Sequence, residues 1–512
     1  MDRAGRDGGQ WRRLLLVAAA LASAPLAALA MAQPPASPAA APQTITPQTA
    51  TPQTITPPPP AAAVQIPAFS PAEALAAVGV LRAADQQGLQ PKAYLPETLP
   101  ADGQLSGAQQ AALADGVLRY AHDVRVGRLE PGDFPELWAL RPAPYDPRPE
   151  LAAALTENRL QPWLDSLPPR YAGYVALKRG LARYREIAAG GGWKAIPDGK
   201  PMALGSHDPR VNALRARLAA EDPQVVAVGP AVFDAALQAA VQRAQVRFGL
   251  KPDGVVAKST LDALNQPVGE RVLQIIANME RWRWLPQAMP ATRVQVNSGA
   301  AIVTLFRDGK PLLSMKAVSG KVGDETPMLA SAIHSIVINP PWNVPAGIAE
   351  KELWPKERAK PGYLAAHGYR VIKVEGSAPR LQQASGDDSS LGRFKFDFDN
   401  PFAVYLHDTP AKHGFDLFAR QASHGCVRLE KPRALAEALL EGDTKWTPDA
   451  IDTQLEGDKT VRVPLPEKVP VFIMYWTAFG GGDGQMHFRS DPYGWDRDLL
   501  KLAGVLSSAA KA

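Results

Sequence analysis

Near residue 292 the spacing of apolar residues changes from every third or fourth position to every second, and this switch limits the fold more than any other feature of the chain. Ahead of it, helices are predicted over 71–81, 108–127, 150–155 and 171–189, with Leu177, Leu181 and Tyr184 on one stripe. Beyond it, strands are predicted at 294–296, 302–306, 312–318, 333–338, 403–407, 461–463 and 469–476. Asp308-Gly309 predicts a tight hairpin between the second and third of these. One helix, at about 432–441, interrupts the β half. Helical and β halves bury their apolar faces in separate layers, so the class is multidomain α+β. About 445 folded residues exceed a single core, and two or three domains are expected.

Within the helical half, residues 207–265 read as a smaller unit of three helices, over 208–220, 231–248 and 258–264. The turn Gly249-Leu250-Lys251-Pro252-Asp253-Gly254 separates the last two. Helix resumes after Pro267 and runs through Trp284, so the unit interrupts a scaffold made of 68–206 and 266–290. The run Arg281-Trp282-Arg283-Trp284 reads as a helix end docking aromatics on the next domain. The β domain spans 291–480, followed by a C-terminal segment, 481–512. Between Trp342 and Phe394 its pattern is broken by a stretch rich in Pro, Gly and charge, and residues 343–393 are expected to be a long lid loop.

Residues 1–32 begin with Arg3, Arg6, Arg12 and Arg13, continue with an apolar run from Leu14 to Leu29, and end on Ala30-Met31-Ala32. That is the form of a cleaved export signal, with periplasmic delivery of the body. An uncleaved segment would instead give transient membrane association; alanine richness and Pro25 favour cleavage. Residues 33–67 repeat Thr-Pro-Gln-Thr and include four consecutive prolines, the composition of an extended tether. The formal charge of +5 falls to +3 without the four Arg and two Asp of residues 1–32. With no basic helix or aromatic-basic stripe, a nucleic-acid partner is not expected.

The chain has one cysteine, Cys426, in Ser423-His424-Gly425-Cys426-Val427-Arg428. It cannot form an internal disulfide, so it is either buried filler or a free thiol with a task. His407, 19 residues upstream in Tyr405-Leu406-His407-Asp408, supplies the imidazole that a thiol of pKa about 8.5 needs to become a nucleophile. A glycine before the thiol lets backbone N–H groups approach a substrate oxygen. A three-ligand zinc site from His407, His424 and Cys426 also fits the spacing, but no further Cys/His pair or acidic ligand motif accompanies them. No metal and no cofactor is expected. Asp408 is adjacent to His407 and so points to the opposite face of a strand; it is not expected to form a triad.

These residues resemble the L,D-transpeptidases, in particular the large Gram-negative branch. The likeness runs through Asn339-Pro340-Pro341-Trp342-Asn343-Val344-Pro345, Tyr405–Pro410 and Arg420–Leu429, with Asn278–Trp284 and Val471–Thr477 adding to it. It covers about residues 68–500. It implies Cys426 as nucleophile, His407 as general base and the Gly425 and Cys426 amides as oxyanion donors. It also implies a substrate site lined by His424, Tyr405, Trp342, Arg428 and Ser423. The three-helix unit resembles a peptidoglycan-binding module, departing from it at Ala244, where a large aromatic would precede Gln245. The implied partners are peptidoglycan stem peptides, a donor tetrapeptide and an acceptor amine, and the sacculus. The implied reaction forms 3→3 cross-links through a Cys426 thioester, and the implied enzyme is a carbapenem target, acylated at the same cysteine. Water or a lipoprotein amine as acceptor, or a non-catalytic wall-binding scaffold, are the alternatives. Arg428 is read as either a stem-carboxylate partner or an ion pair with Glu430.

Overall fold

The computed structural model describes residues 64–97, 99–373, 376 and 378–506. The export signal of residues 1–32, most of the tether and the last six residues lie outside them.

The first helices start where their caps dictate. Ser70 and Ser106 each accept from the N–H three residues on, and Glu73 and Gln109 reach back to the serine N–H, which places Pro71–Arg82 and Gly107–Val126. Arg148–Thr156 and Leu160–Ser166 close a core around Leu81, Leu113, Val117, Leu151 and Trp163. The stripe Leu177, Leu181 and Tyr184 of Ala172–Ala189 is buried, and that helix packs on Val268–Arg283.

The smaller unit comprises Val211–Ala219, Ala235–Arg247 and Lys258–Asn265. Gln245 holds its turn: Nε2 donates to Asp253 Oδ1 at 2.9 Å, and Gly254 N–H donates to Gln245 Oε1 at 2.9 Å. Ala244 is wholly buried, so the departure from the module's usual aromatic falls in core packing. The Arg281–Trp284 run is buried too. Trp282 stacks on Trp476 at 4.2 Å, Arg281 pairs with Asp496, and Arg283 pairs with Glu280 at 2.6 Å. Aromatic docking, not an exposed basic patch, is its structural use.

The β domain is built from β1 (Arg293–Asn297), β2 (Ile302–Arg307), β3 (Lys310–Gly320), β4 (Leu329–Ile338), β5 (Trp342–Asn343), β6 (Tyr369–Ile372), β7 (Arg380–Gln383), β8 (Phe394–Phe398), β9 (Leu406–His407), β10 (Gln421–Ser423), β11 (Val427–Leu429) and β12 (Val461–Met474). A hairpin, β13 (Ala478–Gly480) and β14 (Met486–Phe488), follows. The main sheet runs β10-β3-β11-β9-β8-β4-β12-β1-β2, and a further β2–β3 pairing closes it on itself. Asp308 and Gly309 have φ of 50° and 73°, the two left-handed residues that the predicted hairpin turn requires. The two segments expected at 461–463 and 469–476 are one strand, β12, whose register shifts between Pro464 and Val469 and which ends at Met474. Proline cannot donate to a ladder, which explains the irregularity.

The described residues of the 343–393 insertion carry structure of their own. They hold helical turns between 346 and 366, the separate sheet β5-β7-β6, and a small core of Val344, Ala349, Leu353, Leu364 and Leu381. In the described part of the C-terminal segment, Trp495–Leu502 packs on Val268–Arg283 and buries Trp495, Leu499 and Leu500.

Candidate active site

The parallel pairing of β9 with β11 brings the two sequence-predicted groups together. Val427 faces Leu406 and Arg428 faces His407 in register. Directly paired residues share a face, as do residues two apart, so Tyr405, His407, Cys426 and Arg428 lie on one face of neighbouring strands. On the other side of β9, Lys395 of β8 is in register with His407.

His407 is buried, and its Nδ1 is 2.5 Å from the Asp408 carbonyl. A carbonyl only accepts, so Nδ1 carries the proton and the neutral ring keeps its lone pair on Nε2. The group that orients His407 is thus the Asp408 backbone. The Asp408 carboxylate points away, accepting from Thr409 N–H at 2.7 Å, Arg393 N–H at 2.9 Å and Lys412 Nζ at 2.5 Å. Burial, and then the charge of Arg428, push His407 down to about 3. The ring is neutral at any ordinary pH, the state a base needs.

Cys426 is half-buried and free; its Sγ lies 3.9 Å from Ala403 O, with the Tyr405 backbone and hydroxyl as further neighbours. No hydrogen bond joins it to His407 in the resting structure. Burial raises its thiol, opposed by the Tyr405 backbone and hydroxyl and by the charges of Lys395 and Arg428. Thiol and imidazole therefore rest as a neutral pair, not as a thiolate–imidazolium pair.

The turn before Cys426 divides the expected oxyanion donors. Gly425 has a φ of 102°, a conformation that selects glycine, and donates its N–H to Ser423 Oγ at 3.2 Å. Ser423 Oγ in turn donates to Cys426 O at 2.6 Å. The Gly425 amide is thus engaged, while the Cys426 N–H has no acceptor among the described residues. Ser423 is buried and its hydroxyl braces the turn.

Tyr405 sits edge-on to His407 at 5.5 Å, with Lys395 Nζ 4.3 Å from its ring centroid and Trp342 and Cys426 as hydrogen-bonding neighbours of its hydroxyl. Arg428 has no hydrogen-bond or ion-pair partner among the described residues; Glu430 instead takes Lys316 N–H at 3.0 Å. The ion pair with Glu430 is therefore not made, and the guanidinium beside the thiol is unspent. His424 is exposed and bonds Glu352 Oε1 at 2.6 Å, with Lys321 Nζ at 3.3 Å. That contact ties the 343–393 insertion to the nucleophile turn. His407, His424 and Cys426 do not converge, and no group of three or more His, Cys, Asp or Glu among the described residues is placed to hold a metal ion.

Lys395 and Glu352 were not singled out from the sequence. The alternation Phe394-Lys395-Phe396-Asp397-Phe398 carries a signal for the first, since it puts Lys395 and Asp397 opposite three buried phenylalanines. Nothing local marks Glu352.

Residues 291–459 match the model of the L,D-transpeptidase catalytic domain. That segment is an L,D-transpeptidase catalytic domain. Residues 67–181 match a scaffold domain and 207–264 a peptidoglycan-binding domain. A Haemophilus influenzae protein named "Putative L,D-transpeptidase" is 33% identical over 242 residues, which is 44% of this chain. The match spans only 48% of that relative's length. Among solved structures, the L,D-transpeptidase of Xylanimonas cellulosilytica is 18% identical, covering 54% of this chain and 98% of that one at a TM-score of 0.19. The catalytic domain of the E. faecium L,D-transpeptidase, solved acylated by ertapenem, is 14% identical, covering 36% and 99% at a TM-score of 0.17. At such scores the assignment of the L,D-transpeptidase domain rests on the family match and on the arrangement of β9 and β11.

Proposed function

We propose that this protein is an extracytoplasmic peptidoglycan L,D-transpeptidase that forms 3→3 cross-links through a Cys426 thioester. The observation that carries the reading is the neutral His407, its lone pair on Nε2, on the same face as Cys426 and in register with Arg428. The Cys426 sulfur attacks the carbonyl of the third, L-centred residue of a donor tetrapeptide as His407 takes the thiol proton. The Cys426 N–H holds the oxyanion, and Arg428 receives a stem carboxylate. Collapse expels the terminal D-alanine, which leaves as an amine with the proton from His407. The side-chain amine of a second stem then attacks the thioester, His407 takes its proton, and the thiol is restored. Export to the periplasm is read from residues 1–32; among the described residues no helix is long and apolar enough to cross a membrane.

The depressed basicity of His407 sets the pH response. A base that protonates at about 3 stays competent far below 6.5, where an ordinary imidazole becomes charged. Because that base is weak, the thiol proton moves only as the new S–C bond forms. The rate of acylation by ertapenem, followed by intact mass from about pH 5 to 8, is expected to show no acid limb near 6.5. An acid limb centred there would mean that burial does not hold the ring neutral.

The insertion is read as a lid, supported by the Glu352–His424 contact over the nucleophile turn. A lid excludes water from the thioester until an amine arrives. Wild-type protein given a defined disaccharide-tetrapeptide should yield cross-linked dimer as its main product by chromatography. Hydrolysed tripeptide in its place would make the enzyme an L,D-carboxypeptidase. Shortening residues 343–393 should raise the ratio of hydrolysed to cross-linked product while Cys426 remains acylable. An unchanged ratio at normal activity would remove the lid reading.

A further inference from the structure

A cleft of about 1010 Å³ opens between the three-helix module, the helix Val268–Arg283, the C-terminal segment and the loop ahead of β10. Phe248, Leu250, Phe488 and Leu500 give it an apolar wall, and Phe418 stands 42% exposed on its catalytic-domain side. Three arginines line it without a hydrogen-bonded carboxylate, although the charges of Glu221 and Glu430 reach Arg271 and Arg420. Arg271 donates to Gln274 Oε1 and Ala263 O, with its buried Nε unsatisfied. Arg420 donates only to the carbonyls of Ala300, Ala301, Ala317 and Leu417. Arg489 donates to Arg247 O at 2.8 Å and Phe488 O at 2.7 Å.

The carboxylates nearby are already committed. Asp262 holds Lys258 at 2.9 Å, Asp491 accepts from Tyr475 at 2.7 Å, and Asp496 pairs with Arg281. Glu270 sits at the exposed edge. Burial and the charge of Arg420 push Arg489 down to about 10, so the two guanidinium groups feel one another. Like charges held together in a half-buried cleft raise the energy of the empty fold, and an anion between them lowers it.

We propose that this cleft is a second binding site for a peptidoglycan stem peptide, its carboxylate received by Arg420 and Arg489 and its aliphatic part lying against Phe248 and Phe418. The proposal rests on the peptidoglycan reading above and names a site apart from the Cys426 face. A stem peptide carries both the free carboxylates and the short alkyl groups that this lining suits; peptide-free glycan lacks the alkyl groups. Because Arg420 stands just ahead of β10, six residues before Cys426, one ligand in the cleft touches both the module and the catalytic domain.

The experiment occupies Cys426 first. Full-length protein acylated by ertapenem is titrated with free stem tetrapeptide by calorimetry, so that only binding away from the thiol is read. Binding is expected, and Arg489→Gln and Phe418→Ser should each weaken it by about tenfold. Phe418→Ser alters an exposed side chain and guards against a loss of fold in the arginine variant. Tetrapeptide with its carboxylates amidated should bind as weakly as the variants. Absence of binding to the acylated protein, or unchanged affinity in both variants, overturns the proposal, as does tight binding of amidase-stripped glycan with none of the peptide. Failure of ertapenem to acylate the wild type would instead strike the catalytic reading, and the titration of untreated protein would then still read the cleft.

Discussion

Cys426→Ala leaves a folded protein that gains no mass from ertapenem and forms no 3→3 dimer. The chain has no second cysteine to take over the attack. The fold survives because the thiol is half-buried and its contact to Ala403 O, at 3.9 Å, is long. Exchange of a small thiol for a methyl group at such a site costs no more than about 1 kcal/mol. Intact mass and chromatography of product, beside a thermal melt, make the measurement. Cross-linked product above background from the purified variant would sink the assignment of the nucleophile.

His407 carries the next largest effect. Removing the base is expected to slow acylation by about 10²–10⁴-fold. His407→Ala also strips the Asp408 carbonyl of its donor, at a cost of about 1–3 kcal/mol, so a loss of fold would blur the result. His407→Asn offers a donor to that carbonyl without a basic nitrogen, and it should be as slow as the alanine variant at higher stability. His424→Ala is the comparison: an exposed ring tied to Glu352, whose loss should be milder for acylation and felt by the insertion. Equal damage from the two histidines would mean that the base is wrongly assigned or that a metal is present, and metal analysis of the pure protein would tell which.

What was legible in the chain followed from signals that extend over several residues. Ala172–Ala189 announces itself by the stripe of Leu177, Leu181 and Tyr184, and the β2–β3 hairpin by Asp308-Gly309. Cys426 stood out as the chain's one cysteine, and His407 by its place 19 residues upstream. The strands that place them, β9 and β11, are two and three residues long, too short for any periodicity to show. Leu160–Ser166 and the β5-β7-β6 sheet escaped for the same reason. The Glu352–His424 bond joins residues 72 apart and is set by tertiary placement that no local pattern encodes; the Gly425–Ser423 and His407–Asp408 contacts are local in sequence, but they depend on backbone angles that composition does not show.

The insertion has a kinetic consequence. Its core holds five buried apolar side chains, whereas the sheet beneath it is closed and dense. A unit with so small a core is expected to exchange its backbone amides by local opening before the barrel does. If the second amine reaches the thioester only when that unit swings or loosens, turnover has a ceiling set by the opening rate, and bond chemistry at Cys426 runs beneath it. Substitutions inside this small core, far from sulfur and imidazole, then tune catalytic rate through hydrogen-exchange protection of residues 343–393 and leave the intrinsic reactivity of the thiol untouched.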